Sequence, residues 1–415
     1  MTLQEITGSA HNFEECMKCT VCTAYCPVVP VNPRYPGPKQ AGPDGERLRL
    51  KDPEFFDEAL KYCLNCKRCE VVCPSGVNVA DIIQEARIRY SQSKPKLRDK
   101  ILASTDTMGS LARPFAPVVN GVLSLGVTKA VMDGVLAVDK HRTFPKYSSK
   151  SFEGWFKRNA KAAQEAFKEK VAYFHGCYVN YNYPQLGKDF VKVMNALGIG
   201  VELLDKEKCC GVAMISNGMS KAAAKNAASN SAALSKAAEK GIRVLTTSST
   251  CTFTMRDEYP ELLHIDNSAW KNSLLLATRF IYEAVDSGRK KLIFKDSYKA
   301  RIAYHTPCHL EKLGWGVFST RLLKMIPGVE FTLLDSACCG IAGTYGFKKE
   351  NYEASQAIGK ALFEDIASVA PDIVACDCET CKWQIEMSTG YKVMNPVSIL
   401  AEALDTELTA EANRL

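Results

Sequence analysis

The stretch VAYFHGC, residues 171–177, has a partner in RIAYHTPC, residues 301–308, and the two closing cysteines, Cys177 and Cys308, lie 131 residues apart. Working outward, LLDKEKCCG is answered by LLDSACCG, with Cys210 and Cys339 separated by 129 residues, and TSSTCTF is answered by DCETCKW, with Cys251 and Cys381 separated by 130. Such constant spacing marks a tandem duplication that sets matching cysteines in matching pockets. Within each copy, strand-like runs alternate with helix-like ones. In the first copy these are KVAYFHGC, LGKDFVKVMNALG, VELL, an Ala-rich stretch over 221–239 and IRVLTT. Strands alternating with helices predict an α/β layer with a mainly parallel sheet. The cysteines then fall at strand ends and in the loops that follow, where such sheets place ligands.

Adjacent side chains on an extended strand point to opposite faces, so Cys338 and Cys339 could share one compact centre only where the backbone turns. Gly340 and Gly343 supply that freedom. Together with Cys308, Cys378 and Cys381 they give the second copy five candidate thiolates, more than a mononuclear site uses but suited to a multi-iron cluster. A vicinal disulfide or a catalytic dithiol is the alternative, and either leaves the other three without a role. The first copy has Cys177, Cys209, Cys210 and Cys251, but Ser248 stands in the place of Cys378. It could bind a different cluster, share one, or bind none. Cys376 has Thr246 as its counterpart and is expected to pack as a small apolar residue. His175, His305 and His309 could donate to sulfur or carry protons, or could be ordinary satisfied polar groups.

The N-terminal 90 residues carry eight cysteines in two groups: Cys16, Cys19, Cys22 and Cys26, then Cys63, Cys66, Cys69 and Cys73. Each has the spacing C-x2-C-x2-C-x3-C-P. Zinc sites use separated C-x2-C pairs, whereas this doubled run is the bacterial ferredoxin pattern for two four-iron four-sulfur clusters. The crossing known for that motif groups Cys16, Cys19, Cys22 and Cys73 around one cluster and Cys63, Cys66, Cys69 and Cys26 around the other. Lys18, Lys67 and Arg68, lying among them, would raise a cluster's potential if close and are otherwise merely solvated. PVVPVNPRYPGPKQAGPDGE, between the groups, reads as loop. Helices are expected around DPEFFDEALKYC, with Asp52 as cap and Pro53 in the first turn, and around NVADIIQEARIRYS.

The chain has 415 residues, 18 cysteines and a formal net charge of +7. No apolar run of a secretory signal precedes Cys16, so a reducing compartment is expected, where clustered cysteines are metal ligands or redox groups. The basic excess is concentrated: 17 Lys+Arg against 7 Asp+Glu between Ala86 and Lys170. That suits an anionic lipid or acidic protein surface, or a solvated helical face. In the same region Val119, Leu123, Val127, Val131, Val135 and Val138 recur as one helix face. Such a stripe more often packs on the protein's own core than docks on a membrane surface; the basic flank Lys140, Arg142, Lys146 and Lys150 adds weight to docking. The most apolar run, Pro114 to Thr128, is too short and too interrupted to span a bilayer.

A doubled C-x2-C-x2-C-x3-C-P region followed by two CCG segments resembles the iron-sulfur subunits related to heterodisulfide reductase, glycolate oxidase and lactate utilisation proteins. The stretches KCTVCTAYCPVVPVNPRYPGPKQAGPDGERLRLKD, FHGCYVNYNYPQLGKD, KEKCCG, YHTPCH and CCGIAGTYGFKKENY are similar, within that group, to the iron-sulfur subunits of anaerobic glycerol-3-phosphate dehydrogenases. The resemblance implies an electron-transfer subunit, peripheral on the cytoplasmic face of the bacterial inner membrane. Its partners, the A and B subunits of the complex, would carry flavin and oxidise glycerol 3-phosphate, and this chain would pass electrons to menaquinone or ubiquinone and help hold the complex at the membrane. In some relatives the five cysteines matching Cys308, Cys338, Cys339, Cys378 and Cys381 bind a non-cubane cluster. Ligation by Cys177, Cys209, Cys210 and Cys251 carries over incompletely, because Ser248 departs from the pattern. No G-x-G-x-x-G fingerprint is evident, which supports the expectation of flavin on another chain rather than on this one. The alternative is a CCG module that itself reduces a disulfide or related acceptor.

The expected architecture is α+β overall: a helical two-cluster ferredoxin domain over residues 1–90, a basic amphipathic helical linker over 91–170, and two tandem α/β CCG domains over 171–290 and 291–415.

Overall fold

The computed structural model describes residues 12–52, 57–90, 95–335 and 337–414. Two four-stranded sheets carry the duplicated region. The first joins β1 (Glu169–Phe174), β2 (Ile199–Leu203), β3 (Val244–Thr246) and β4 (Leu274–Leu276). The second joins β5 (Ala300–Tyr304), β6 (Val329–Leu333), β7 (Ile373–Ala375) and β8 (Val393–Met394). Both have the order 2-1-3-4 in their own numbering, and every pairing is parallel. Equivalent registers, Tyr173 opposite Leu203 and Tyr304 opposite Leu333, confirm the duplication at the level of backbone pairing.

The expected helices of the first copy form at Pro184–Ala196 and Ser220–Glu239. Pro184 sits in the first turn, where its missing N–H costs nothing. β4 and β8 carry only three and two residues and gave no periodicity to read. An apolar core runs without a break through both copies, including Tyr173, Phe190, Leu276, Tyr304, Leu322 and Leu400. The copies also exchange helices. Pro396–Ala403 covers the first copy, where Lys192 Nζ donates to the Ala401 carbonyl (2.7 Å) and Ser398 Oγ to Asp189 (2.6 Å). Ala277–Asp286 reaches the second, where Ser319 Oγ donates to Thr278 Oγ1 (2.8 Å).

The N-terminal region is a set of short helices, with the expected one at Val79–Tyr90. Two local readings differ. The Pro/Gly-rich stretch ends in a wide turn, Gln40–Asp44, and a helix, Gly45–Lys51, stabilised because buried Arg49 donates to the Ala41 and Gly42 carbonyls (3.2 and 3.3 Å) and pairs with Glu46 (2.7 Å). Asp52 closes that helix rather than opening the next, which is a short 3-10 helix, Glu58–Tyr62, capped when Asp57 accepts from the Ala59 N–H (2.7 Å). Pro53 lies outside the described residues.

The basic segment does not run free between the domains. Gly109 lies against Tyr181, so close that a Cβ would come within 2.4 Å of its ring. Phe152 sits edge-on to Tyr173 with ring centres 5.6 Å apart, and Arg98 makes a bidentate pair with Glu350 (2.7 and 2.8 Å). Arg142 is not a surface cation: it is buried, bonded to Gln384 and to Ser355 Oγ (2.8 Å). The apolar stripe does not form one helix face either. At Leu125 the backbone becomes extended (φ −68°, ψ 133°) and separates Ala116–Ser124 from Gly126–Val131. Taken with the neighbouring turns, Thr105–Ser124 and Gly126–Leu136 meet at 78°, and among the described residues no single helix is long and apolar enough to cross a membrane.

Candidate metal centres

Each C-x2-C-x2-C run winds its backbone the same way. Lys18 and Thr20 in the first run, Asn65 and Lys67 in the second, all adopt positive φ between 55° and 65°. Left-handed residues at every second position turn the backbone back on itself, as in the concavities whose N–H groups accept phosphates and iron-sulfur groups. Cys16, Cys19, Cys22 and Cys73 border one gap of about 20 Å3. Cys26, Cys63, Cys66 and Cys69 border another of the same size. Backbone N–H groups already point at sulfur: Asn65 N–H at Cys63 and Val77 N–H at Cys73, both at 3.4 Å.

Burial pushes the Cys26 thiol up to about 11 and the Cys66 thiol up to about 12. Thiols that resist ionisation this strongly become thiolates when a metal cation takes the proton's place, so the donor set fits iron. Among the described residues all the cysteines are free thiols.

The two gaps differ in surroundings. Cys19 is exposed, whereas the loop from Cys63 to Cys69 is pressed into the crevice between the two α/β copies. Asn65 Nδ2 donates to Glu258 (2.6 Å) of the first copy, and the Asn65 carbonyl meets His309 Nε2 (3.1 Å) of the second. Lys67 has no exposed side-chain surface; it pairs with Asp81 and lies over the Phe253 ring at 5.7 Å. Burial works against its charge, but Asp81, Glu70 and Glu258 outweigh it and hold the ammonium above its ordinary range. Arg68 approaches Glu311 (3.5 Å) and Lys312 pairs with Glu70 (3.0 Å). Lys67 and Arg68 are thus buried within ion pairs, and only Lys18 is solvated.

In the second copy the chain turns at the adjacent cysteines. Gly340 (φ 84°), Ala342 (φ 42°) and Gly343 (φ 60°) are all left-handed. The turn brings Cys339 Sγ to 3.3 Å from Cys381 Sγ, and Cys338 belongs to the apolar cluster against which Cys66 packs. Cys378 caps the helix Glu379–Thr389, and hydrogen bonds from Cys381, Thr250 and Thr380 outweigh burial and pull its thiol down to about 5. His305, Cys339 and Cys381 bring one ligand atom each within 4.8 Å of one another, and neither buried ring nitrogen of His305 has another protein hydrogen-bond partner. Cys376 does more than fill space: directed at the Cys378 carbonyl (3.6 Å), it also interacts with Cys381.

The first copy gathers Cys177, Cys209, Cys210 and Cys251, with Cys177 and Cys209 sulfurs 3.7 Å apart. Ser248 is committed elsewhere. Its hydroxyl accepts from the Cys251 N–H (3.3 Å) as a helix cap and donates to Glu379 (2.9 Å) across the interface. The reciprocal contact is Thr250 Oγ1 to Cys378 Sγ at 3.4 Å. Burial, followed by the Cys378 charge, pushes the Glu379 carboxyl up to about 8. Asp106, from the basic segment, accepts from the Cys209 N–H (2.7 Å), and burial pushes its carboxyl up to about 6. His175 faces Glu207 (3.1 Å) and the Gly176 carbonyl (3.0 Å) rather than sulfur. Asp106, Thr250 and Glu379 carry no sequence signal, since their partners lie 103, 128 and 131 residues away.

The fold and the thiol sets define the class: an iron-sulfur protein in which a two-cluster ferredoxin-like domain precedes a pair of cysteine-rich domains. The family model for a 4Fe-4S dicluster domain matches residues 12–77, and the model for the CCG cysteine-rich domain matches 171–256 and 302–386. The chain is 56% identical over 394 residues, 95% of its length and 99% of the relative's, to the C subunit of the anaerobic glycerol-3-phosphate dehydrogenase of Escherichia coli (strain K12). It is 26% identical over 407 residues to the B subunit of the fumarate reductase (CoM/CoB) of Methanothermobacter marburgensis, covering 93% of this chain and 71% of that one. It is also 26% identical over 362 residues to the probable glycolate oxidase iron-sulfur subunit of Bacillus subtilis, covering 80% and 79%. The chain belongs to the family of anaerobic glycerol-3-phosphate dehydrogenase C subunits. Its role is iron-sulfur electron transfer alongside other subunits.

Proposed function

We propose that this chain carries electrons from the flavin-containing A and B subunits, which oxidise glycerol 3-phosphate, to the membrane quinone pool, and helps attach the complex to the cytoplasmic face of the bacterial inner membrane. Cys16, Cys19, Cys22 and Cys73 hold one four-iron four-sulfur cluster, and Cys63, Cys66, Cys69 and Cys26 hold a second. Cys308, Cys338, Cys339, Cys378 and Cys381 hold a third, non-cubane one. Cys177, Cys209, Cys210 and Cys251 form a reduced set that lacks the fifth thiol. Such clusters, when bound, take and give single electrons.

The observation that carries this reading is the loop from Cys63 to Cys69, wedged between the two copies so that Cys66 packs in one apolar cluster with Cys338 and Arg68 approaches Glu311 on the helix that Cys308 opens. Asn65, Lys67 and Arg68 lock that loop in place. Cys19, by contrast, is exposed, with Met17, Val21 and Tyr25 exposed around it, and suits the entry side for electrons from a partner. Disulfide reduction would need room for a substrate beside the second copy's thiols. The gap next to Cys376 and Cys378 is about 10 Å3, the space of a single water.

Membrane attachment is supported by the bent helix pair. Phe115, Val118, Val122, Leu125, Val127, Val131 and Val135 are all exposed on it, and Lys140, Lys146 and Lys150 follow on the surface. Apolar side chains flanked by solvated lysines suit the interface of an anionic bilayer.

The test is a count of iron and acid-labile sulfide with EPR spectra on the wild type and Cys339→Ser. The expected result is loss of one spectral component from the variant, with the ferredoxin-type signals retained. Unchanged iron content and spectra would contradict a cluster at the second copy.

A further inference from the structure

A cavity of about 470 Å3 lies where the ferredoxin-like domain, the second copy and the tip of the Val212–Ser216 helix meet. We propose that it is the site at which a tailed quinone is reduced. The inference rests on the quinone reading above and deepens it by giving that molecule a place.

Cys63, one of the thiols assigned to the second ferredoxin cluster, forms part of the cavity wall. A molecule bound there sits at the edge of the redox centre without touching the buried thiols of the second copy. The volume matches a single ring with part of a tail. The wall also has the polarity that ring oxygens require. Tyr345 is only 8% exposed, yet its hydroxyl has no protein hydrogen-bond partner. A buried phenol left unpaired costs free energy unless something accepts its hydrogen bond, and a quinone carbonyl oxygen is such an acceptor. Arg34, Lys61, Arg87, Lys96 and Lys348 contribute five cations to the lining against the single carboxylate of Glu350. Arg87 is held by the Cys63 and Ser216 carbonyls (3.3 and 2.9 Å), and Lys348 by Asp99 (2.9 Å) and Asn217 (2.8 Å).

Reduction of a quinone consumes two electrons and two protons, forming two O–H bonds and breaking none but the ring's carbonyl π bonds. The electrons are those that glycerol 3-phosphate gives up at the flavin-bearing partner, and the protons come from water at the cavity mouth. Fixed cations favour the negative charge that gathers on the ring oxygens before protons arrive.

One end of the exposed apolar pair lies at the rim of this cavity, and the segment that leads into the other end starts there, which argues for a tailed ligand. Lys96 precedes the helix Leu97–Ala103 that leads into the pair. At the other end Val138 bridges to Lys348, and Arg98 ties the Ala137 carbonyl (2.8 Å) to Glu350. A face lying on lipid would bring a membrane-dissolved tail beside the opening.

The complete complex, reconstituted in vesicles containing anionic lipid, would be irradiated with an azido-quinone and its labelled peptides mapped. Quinone KM would be measured for the wild type and Tyr345→Phe. Expected are labels within residues 61–64 or 342–351, protected by excess unmodified quinone, and a rise in KM of about tenfold, one hydrogen bond's worth. Labels elsewhere, with KM unchanged in Tyr345→Phe while the wild type reduces quinone, would overturn the site and leave the function standing. Labels at these peptides displaced by millimolar citrate but not by quinone would overturn it in favour of a soluble organic anion. A wild-type complex that reduces dye but no quinone would refute the function itself, and the site with it.

Discussion

One backbone angle decides whether Cys338 and Cys339 can face a common centre. Gly340 has φ 84°, and a Cβ built there would lie 2.0 Å from the Ser355 carbonyl oxygen, whereas one on its counterpart Gly211 (φ 89°) would meet only Ala223 at 3.4 Å. Gly340→Ala combines conformational strain with a clash against backbone and is expected to cost about 3 kcal/mol and the second copy's iron; Gly211→Ala bears the strain alone, about 1 kcal/mol. Urea unfolding and iron content of the two variants check this ordering. Ser248→Ala removes a cap and a buried bond to Glu379, so a loss of about 1–2 kcal/mol is expected with iron content unchanged. Iron loss would make the serine a ligand. The gathering of the cysteines was legible from spacing because each set is built mainly from residues close together in the chain. Ser248 was legible as a departure, but not the purpose of its hydroxyl, which is defined by Glu379, 131 residues away.

At the scale of elements, periodicity served well wherever one face of a helix or strand is buried against a sheet. It failed where the apolar face meets no core. Val119, Leu123, Val127, Val131, Val135 and Val138 keep helical spacing, yet Leu125 is extended, Val138 is buried in a bridge to Lys348, and Val127 and Val135 are each 77% exposed. With no core to pack on, the pattern had no register to enforce. The exposed valines contribute little to folding, so Val127→Asp/Val131→Asp is expected to leave thermal stability within about 0.5 kcal/mol. Binding of the complex to vesicles with anionic lipid should fall at least tenfold, as about 2 kcal/mol of apolar burial is lost. Cosedimentation measures it, and full retention on the vesicles would contradict attachment through this element. High salt should release the wild type only in part, because screening reaches the lysines but not the valines.

For the whole molecule, the duplication announced two matched sheets, but nothing in the sequence told where the ferredoxin-like domain would sit. Its seat is made by pairs that are distant in the chain: Asn65 with Glu258, Arg68 with Glu311, Glu70 with Lys312. Lys67 is at the centre of this seat. Lys67→Met would strand the buried Asp81 carboxylate and is expected to cost about 3–5 kcal/mol, measurable by urea unfolding. A near-neutral result would mean that the crevice admits water. The same seat packs Cys66 against the cluster that contains Cys338, which makes Cys66 the residue on which the proposed route depends. The most direct measurement is glycerol 3-phosphate-dependent quinone reduction by the complete complex carrying Cys66→Ser, with dye reduction by the flavin-bearing subunits as the control. Quinone reduction should fall at least a hundredfold, equivalent to about 2.7 kcal/mol in rate, while the control persists. Quinone reduction at the wild-type rate would contradict electron transfer through this chain.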